Sequence, residues 1–486
     1  MRHKVPAEII AICEAMKGRG YQAYLVGGCV RDLVVNRTPK DWDVTTDATP
    51  EQIQEVFEDS FYENSFGTVG VKTRSDDPRV QVVEVTPYRI EGKYSDARRP
   101  DEVRFSTELA EDLKRRDFTV NAIAYDPLTE TLVDLHGGQD DLARKVIRTV
   151  GEPSERFAED ALRMLRAIRL AAELDFAIDR ATLAGIAQNA SQLGKISRER
   201  VRDELSKTLL SPRPMQALYM AQKVGLMPFI IPELDDAIGV DQNQAHSFDV
   251  FEHLLRSLQH AADREWSLEV RLAALLHDIG KPASRRWGDE KKDWTFHGHE
   301  VIGARMAKKI LADLRYPKET IDTVVALVRW HMFFSDPDKV TLSAVRRIIT
   351  NVGKEHIEDL LNLRICDRIG TGRPKEQPFR LRKYMAMVDQ AMRDPVSVAM
   401  LQIDGARLME LGVAPGPRMG WTLHALLEEV LDDPAKNTAE YLEKRAAELR
   451  ELSDDGLRAL GQAGKEAKEE AEEAEVKKLQ EKHHVS

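Results

Sequence analysis

Residues 24–44, YLVGGCVRDLVVNRTPKDWDV, constrain the fold more than any other stretch of the chain. The apolar run from Tyr24 to Val26 breaks at Gly27-Gly28 into an amphipathic segment carrying Arg31 and Asp32. A polar turn then leads to Asp41-Trp42-Asp43-Val44. The pattern predicts strand, glycine turn, helix, turn and strand. Glycines ahead of a helix leave backbone N–H groups free to meet a phosphate, and the helix dipole favours negative charge there. In a strand, residues two apart share a face, so Asp41 and Asp43 are expected side by side. Two carboxylates that close repel unless a cation sits between them. Hard oxygen ligands beside a phosphate cradle suit Mg²⁺. A GG pair or a DxD is common alone; together and in this order they point to a metal-assisted nucleotidyl-transfer site.

The chain has 486 residues, enough for about two to four domains. With 42% hydrophobic and 31% charged residues it has the composition of a globular protein. The opening MRHKVPAEII lacks the apolar stretch of a signal peptide, and nowhere do about 18 apolar residues run together, so no membrane span is expected. Cys13, Cys29 and Cys366 form no CxxC, which predicts a reducing, cytoplasmic setting and no structural zinc. The net charge of −11 does not exclude an RNA partner, because phosphates respond to local basic patches. Residues 195–207, KISRERVRDELSK, offer one such face.

Residues 6–19 read as an amphipathic helix, and Thr49-Pro50 as the cap and first position of another. Residues 66–72 and 80–86 read as strands of one sheet, in which Glu84 is either a third carboxylate facing the metal or a solvent-facing side chain. The polar stretch 88–104 is a connector or a movable active-site loop. Lys114, Arg115, Arg116 and Asp117 then precede a strand at 122–125. Residues 158–174 predict one helix with Leu162, Leu165, Ile168 and Ala172 buried; Arg163, Arg166 and Arg169 share another face, and Asp160 lies one turn before Arg163. Cytosine and adenine both present an amino donor beside a ring-nitrogen acceptor, whereas uracil and guanine present the reverse. A carboxylate next to a guanidinium therefore pairs with C or A and leaves U or G with unmatched polar groups, at roughly 1–3 kcal/mol each.

The segments Gly27-Gly28-Cys29-Val30-Arg31-Asp32, Asp41-Trp42-Asp43, Arg115-Arg116-Asp117-Phe118-Thr119-Val120-Asn121-Ala122 and Glu159-Asp160-Ala161-Leu162-Arg163 together resemble the class II tRNA nucleotidyltransferases, the CCA-adding enzymes and their bacterial poly(A) polymerase relatives. The resemblance spans roughly residues 20–175. It implies a polymerase-β-type head, a helical neck, and a helical body and tail that hold tRNA. It also implies that Gly28 and Arg31 contact the triphosphate, that Asp41 and Asp43 hold Mg²⁺, and that Arg116 contacts the nucleotide. Asp160, Arg163, Arg166 and Arg169 would line the nucleotide pocket. The 88–104 stretch resembles the flexible loop used for the final adenosine, which argues against CC-only addition.

Further on, histidines recur at His246, His253, His277, His297, His299 and His331. His277-Asp278 at a helix end sets an imidazole and a carboxylate on one metal, and His253 and Asp367 would complete four ligands; His299 and His331 could hold a second ion. LLHDIGKP, GHEVIGA and RWHMFF resemble the HD-domain phosphohydrolases, which implies a phosphodiesterase or phosphatase using a divalent transition metal. Residues 464–484, rich in Ala, Glu and Lys, are expected to be an exposed helix or disordered.

The expected fold class is α+β: a nucleotidyltransferase head at 1–150 with a small mixed sheet, then an all-α neck at 151–215, HD domain at 216–370 and tail at 371–486. The expected function is template-independent building or repair of the tRNA 3′ CCA end from CTP and ATP. A-only addition, poly(A) synthesis, and an HD phosphohydrolase with a nucleotide-sensing head are the alternatives.

Overall fold

The structure is a computed structural model and describes all residues except 64–66, 92–102, 243–246, 289–291, 334–338 and 463–486. It divides into two compact units, Met1–Ile230 and Ile231–Ser486.

The first unit begins with α1 (Ala7–Gly18), β1 (Ala23–Val26), α2 (Gly28–Val34), β2 (Asp43–Thr46) and α3 (Pro50–Val56). It continues through β3 (Ser60–Tyr62), β4 (Val69–Lys72), β5 (Val82–Pro87), β6 (Arg89–Glu91), β7 (Val103–Phe105), α4 (Leu109–Lys114), β8 (Ile123–Asp126), β9 (Thr131–Asp134), α5 (Gly138–Arg144) and β10 (Val146–Ile147). Seven strands form one mixed sheet in the order β3-β4-β5-β2-β1-β8-β9. Only β2 and β5 run parallel within it, and their register sets Asp43 opposite Glu84. Strand alternation explains the packing of β5: Val83 and Val85 are fully buried while Glu84 projects from the other face. At α3, Thr49 and Gln52 form the reciprocal capping box that the Thr-Pro pair foreshadows.

The neck helices follow: α6 (Pro153–Glu159), α7 (Leu162–Leu174), β11 (Ala177–Ile178), α8 (Arg180–Asn189), α9 (Arg198–Leu209) and α10 (Pro214–Lys223). The expected boundary at 215 falls inside α10, and the first compact unit runs on to Ile230.

Two local expectations need correction. β2 starts at Asp43, so Asp41 sits in the bend before it and Trp42 is buried between the two. The single helix expected at 158–174 is two helices: Asp160 is extended (φ −146°) and its Oδ1 accepts a hydrogen bond from Leu162 N at 3.0 Å. A short acidic side chain that caps the next helix competes with helical continuation, which is why the chain breaks there. The buried stripe of Leu162, Leu165, Ile168 and Ala172 is as expected. Finally, the ends of the 88–104 stretch pair as the β6–β7 hairpin, with Ile90 opposite Arg104; the centre of that loop, like His246 and the 464–484 tract, lies outside the described residues.

The second unit is helical. It comprises α11 (Val250–Asp263), α12 (Leu268–Leu276), α13 (Lys281–Ser284), β12 (Arg286–Gly288), β13 (Asp293–Thr295), α14 (His299–Asp313), α15 (Lys318–Trp330), α16 (Leu342–Val352) and α17 (Ile357–Gly370). Then come α18 (Phe379–Ala391), α19 (Gly405–Glu410), α20 (Pro417–Asp432), α21 (Ala439–Arg450) and α22 (Asp454–Gln462). Asp249 caps α11 by accepting from Glu252 N, and Ser267 caps α12 by accepting from Val270 N. Among the described residues no helix is long and apolar enough to cross a membrane.

Candidate functional site

In the first unit the Gly27–Gly28 turn is the meeting point. Gly27 has φ +81°, a conformation in which side chains are strained, and it sits at the N-terminus of α2. A Cβ on Gly27 would lie 3.3 Å from Asp43 Oδ2 and 3.4 Å from an Arg116 Nη; one on Gly28 would lie 3.9 Å from Asp41 Oδ1. The two acids therefore converge on the turn even though only Asp43 belongs to β2. Burial, then the charges of Asp41 and Glu84, push the Asp43 carboxyl up to about 7 against the opposing Arg116. Glu84 is raised too, by burial and by neighbouring acids that include Asp41. Asp41 and Asp43 thus meet on the turn, and the β2–β5 register places Glu84 opposite Asp43.

Arginines ring the same turn. Arg31 is 8% exposed and its guanidinium bonds Asp32 and Asn121, each at 2.9 Å. Arg116 donates to Asp112 at 3.0 Å, and its Nε is buried without a hydrogen-bond partner. Asp112, fully buried, also holds Arg115, so one carboxylate orients both arginines. Asp112 and Asn121 were missed from sequence; their signal was faint, since an acid one turn before an Arg-Arg pair is ordinary helix chemistry.

Helix α7 docks on the Arg115–Asp117 corner. Arg166 clasps Asp117 through Nε (2.8 Å) and Nη2 (2.6 Å), and Asp117 also accepts from Phe118 N and Asn121 Nδ2. Burial alone would raise the Asp117 carboxyl, but Arg166, Arg163 and Asn121 bring it down to about 2. Arg163 pairs with Glu159 and donates to the Arg115 carbonyl at 3.1 Å. Arg169 pairs with Glu204 and Glu173. Asp160 pairs with Arg200 at 2.6 Å rather than with Arg163. The structure thus brings these four residues onto one side of the neck but joins Asp160 and Arg163 to different partners. The basic face expected at 195–207 is partly spent internally, because Arg198 donates to the carbonyls of Phe229 and Ile230 and Arg200 is bound to Asp160.

The second unit gathers all six expected ligands. His253 from α11, His277 and Asp278 after α12 and Asp367 from α17 form one set; Asp278, His299 and His331 form another. Asp278 bridges them, with Oδ2 3.1 Å from His253 Nε2 and 3.4 Å from His277 Nε2, and Oδ1 3.1 Å from His299 Nε2 and 3.5 Å from His331 Nε2. The Nδ1 atoms of His277, His299 and His331 lie 2.9, 2.6 and 2.7 Å from the carbonyls of Ala274, Phe296 and Val328. Those carbonyls hold the proton on Nδ1 and turn each Nε2 lone pair inward, the arrangement metal-binding histidines need. Burial opposes charge on His277, yet Asp278 and Asp367 hold its imidazole up at about 9, so a bound cation would displace a proton there. Lys281, inside the LLHDIGKP segment, was overlooked: its Nζ lies 2.5 Å from Asp278 Oδ2.

Three family descriptions match the chain: the poly A polymerase head domain at residues 23–148, a probable RNA- and SrmB-binding site of polymerase A at 175–238, and the HD domain at 250–369. The CC-adding tRNA nucleotidyltransferase of Thermus thermophilus is 33% identical over 84% of this chain and 89% of its own. The CCA-adding enzyme of Lactobacillus helveticus is 31% identical over 90% and 96%. Among solved structures, the Bacillus stearothermophilus CCA-adding enzyme in complex with CTP superposes with a TM-score of 0.68 at 28% identity, over 91% of this chain and 96% of that one.

Proposed function

The chain belongs to the class II tRNA nucleotidyltransferases, and from that membership we propose that it adds or repairs the tRNA 3′ CCA end with CTP and ATP. The observation that carries the reading is the convergence of Asp41 and Asp43 on the Gly27–Gly28 turn with Arg116 alongside. The turn and Arg31 receive the triphosphate, and Arg116, oriented by Asp112, meets the nucleotide. Asp41 and Asp43 would hold Mg²⁺, which would supply charge stabilisation to the reacting phosphate. The RNA 3′-oxygen attacks the α-phosphorus, the bond to the β-phosphate breaks and pyrophosphate leaves. The chain's own part is placement of the reactants and dispersal of negative charge.

Base choice falls to Asp160, Arg163, Arg166 and Arg169. For Asp160 and Arg163 to read one base edge, Asp160 must exchange Arg200, and Arg163 must exchange Glu159, for the nucleotide. Full CCA addition, rather than the CC addition of the Thermus relative, is favoured by the polar 88–104 segment, whose ends the β6–β7 hairpin holds together. Supplying tRNAs that end at the discriminator base, at C and at CC, with each nucleotide singly, tests all of this. CTP, CTP and ATP should be taken in turn, with Asp43→Asn at least about 100-fold slower. UTP incorporated as readily as CTP would sink the Asp160–Arg163 template, and no ATP addition to the CC end would make this a CC-adding enzyme.

The second unit supports a further activity, hydrolysis of phosphate esters at the HD cluster. Its histidine-rich donor set suits a divalent transition ion more than Mg²⁺. Three unbridged buried cysteines and a tRNA substrate fit a cytoplasmic enzyme.

A further inference from the structure

The HD ligands open onto a cavity of about 1170 Å³, larger than a single scissile phosphate requires. One wall is a face of α17. Arg364, Asp367, Arg368 and Thr371 follow at the spacing that stacks side chains on one side of a helix, and all four line the cavity. Arg373 joins them just beyond the helix end. Arg364 is tied to the metal-facing acid, donating to Asp367 Oδ2 at 2.8 Å. Arg368 gives only its Nε to the Lys375 carbonyl at 2.6 Å. Neither Arg368 nor Arg373 has an ion-pair partner among the described residues.

Three guanidiniums lining one cavity wall repel one another. Two of them sit on one helix at i and i+4, where like charges destabilise it. An arrangement unfavourable when empty becomes favourable around a doubly charged anion, which arginine's planar fork accepts in bidentate fashion. Of these arginines Asp367 engages Arg364 alone, and neither it nor Asp278 pairs with Arg368 or Arg373 among the described residues. Phe379, 69% exposed on the cavity wall, adds an aromatic face of the kind on which a base stacks.

We propose that Arg364, Arg368 and Arg373 form a second phosphate subsite, so that the HD centre takes a nucleotide bearing a phosphate group besides the one it cleaves. This rests on the phosphohydrolase reading above and names the substrate class of that site. The specificity residues are then Arg368 and Arg373, with Arg364 positioned through Asp367.

Calorimetric titration of the full chain with adenosine 3′,5′-bisphosphate and with adenosine 5′-monophosphate, in EDTA and again with Mn²⁺, tests it. The bisphosphate should bind at least about tenfold tighter. The Arg368→Met/Arg373→Met protein should lose at least about tenfold of that affinity while melting at the same temperature as the parent. Equal affinity for the two nucleotides, or an unchanged double variant, overturns the subsite. Hydrolysis of bis(p-nitrophenyl) phosphate with Mn²⁺ is read in parallel. Its absence, with the tenfold preference intact, would leave a phosphate-binding site and remove the phosphohydrolase reading.

Discussion

Gly280 and Gly303 face each other where the LLHDIGKP turn meets α14, and the structure predicts opposite consequences of adding one methyl group to each. A Cβ on Gly280 would lie 2.4 Å from the His299 carbonyl oxygen and 2.6 Å from Gly303 N. Both are backbone atoms at the start of a packed helix, so no side chain can swing aside. Opening the first gap from 2.4 to 3.0 Å, the least that Cβ atoms normally tolerate, separates the turn from α14 by 0.6 Å. The turn carries Asp278 and the helix carries His299, whose ligand atoms lie 3.1 Å apart. Metal coordination tolerates about 0.2 Å, so Gly280→Ala should abolish the Asp278–His299–His331 set.

Overpacking of this kind also costs about 1–3 kcal/mol, a fall of roughly 2–12 °C in the melting of a unit this size. A Cβ on Gly303, by contrast, meets nothing nearer than 3.4 Å. Gly303→Ala should therefore be neutral, or stabilise α14 by about 0.5–1 kcal/mol as alanine replaces glycine inside a helix. Thermal melting and Mn²⁺ stoichiometry by calorimetry read both outcomes. A Gly280→Ala protein that melts with the parent and keeps both metal equivalents, or a Gly303→Ala protein equally damaged, would refute the reasoning.

The bridging position of Asp278 makes Asp278→Asn the single change that should empty both ligand sets. Mn²⁺ at about 100 times its dissociation constant should stabilise the parent by about 2.7 kcal/mol and leave the variant's melting unmoved; a retained shift contradicts the bridge. His331→Ala should remove only one equivalent, because the set of His253, His277, Asp278 and Asp367 does not use it. In the first unit, Asp117 is depressed to about 2 in the folded chain. Its pairing with half-exposed Arg166 therefore contributes roughly 1–2 kcal/mol above about pH 4, lost as pH falls towards 2. Asp117→Asn should flatten that part of the acid-melting profile; an unchanged slope between pH 4 and 2 would show that the pair contributes nothing.

Local chemistry was readable before any fold. The Gly-Gly turn, the capping box of α3 and the alternation of β5 each follow from a few adjacent residues, because turn conformation, strand period and capping are decided over that range; the acid pair meets through the bend before β2, not through strand period. The HD ligands were readable for another reason: few side chains other than histidine and aspartate serve such a centre, so residue type carried most of the information. Even so, spacing alone leaves unsaid that Asp278 serves both sets, since that depends on five helices converging across the 115 residues from His253 to Asp367.

The neck shows the limit more sharply. Arg163, Arg166 and Arg169 recur along α7, whose apolar stripe is buried as the sequence period predicts. Asp160 was expected beside Arg163; instead it ends α6 and binds Arg200, while Arg163 and Arg166 reach back to Glu159, the Arg115 carbonyl and Asp117. From sequence alone came the chemistry, meaning which groups could grip a phosphate, a metal or a base edge. Tertiary packing alone chose who grips whom, because every charge has several candidate partners at similar intrinsic strength and only the docking of α7 against α9 and the Arg-Arg-Asp corner brings one of them within reach.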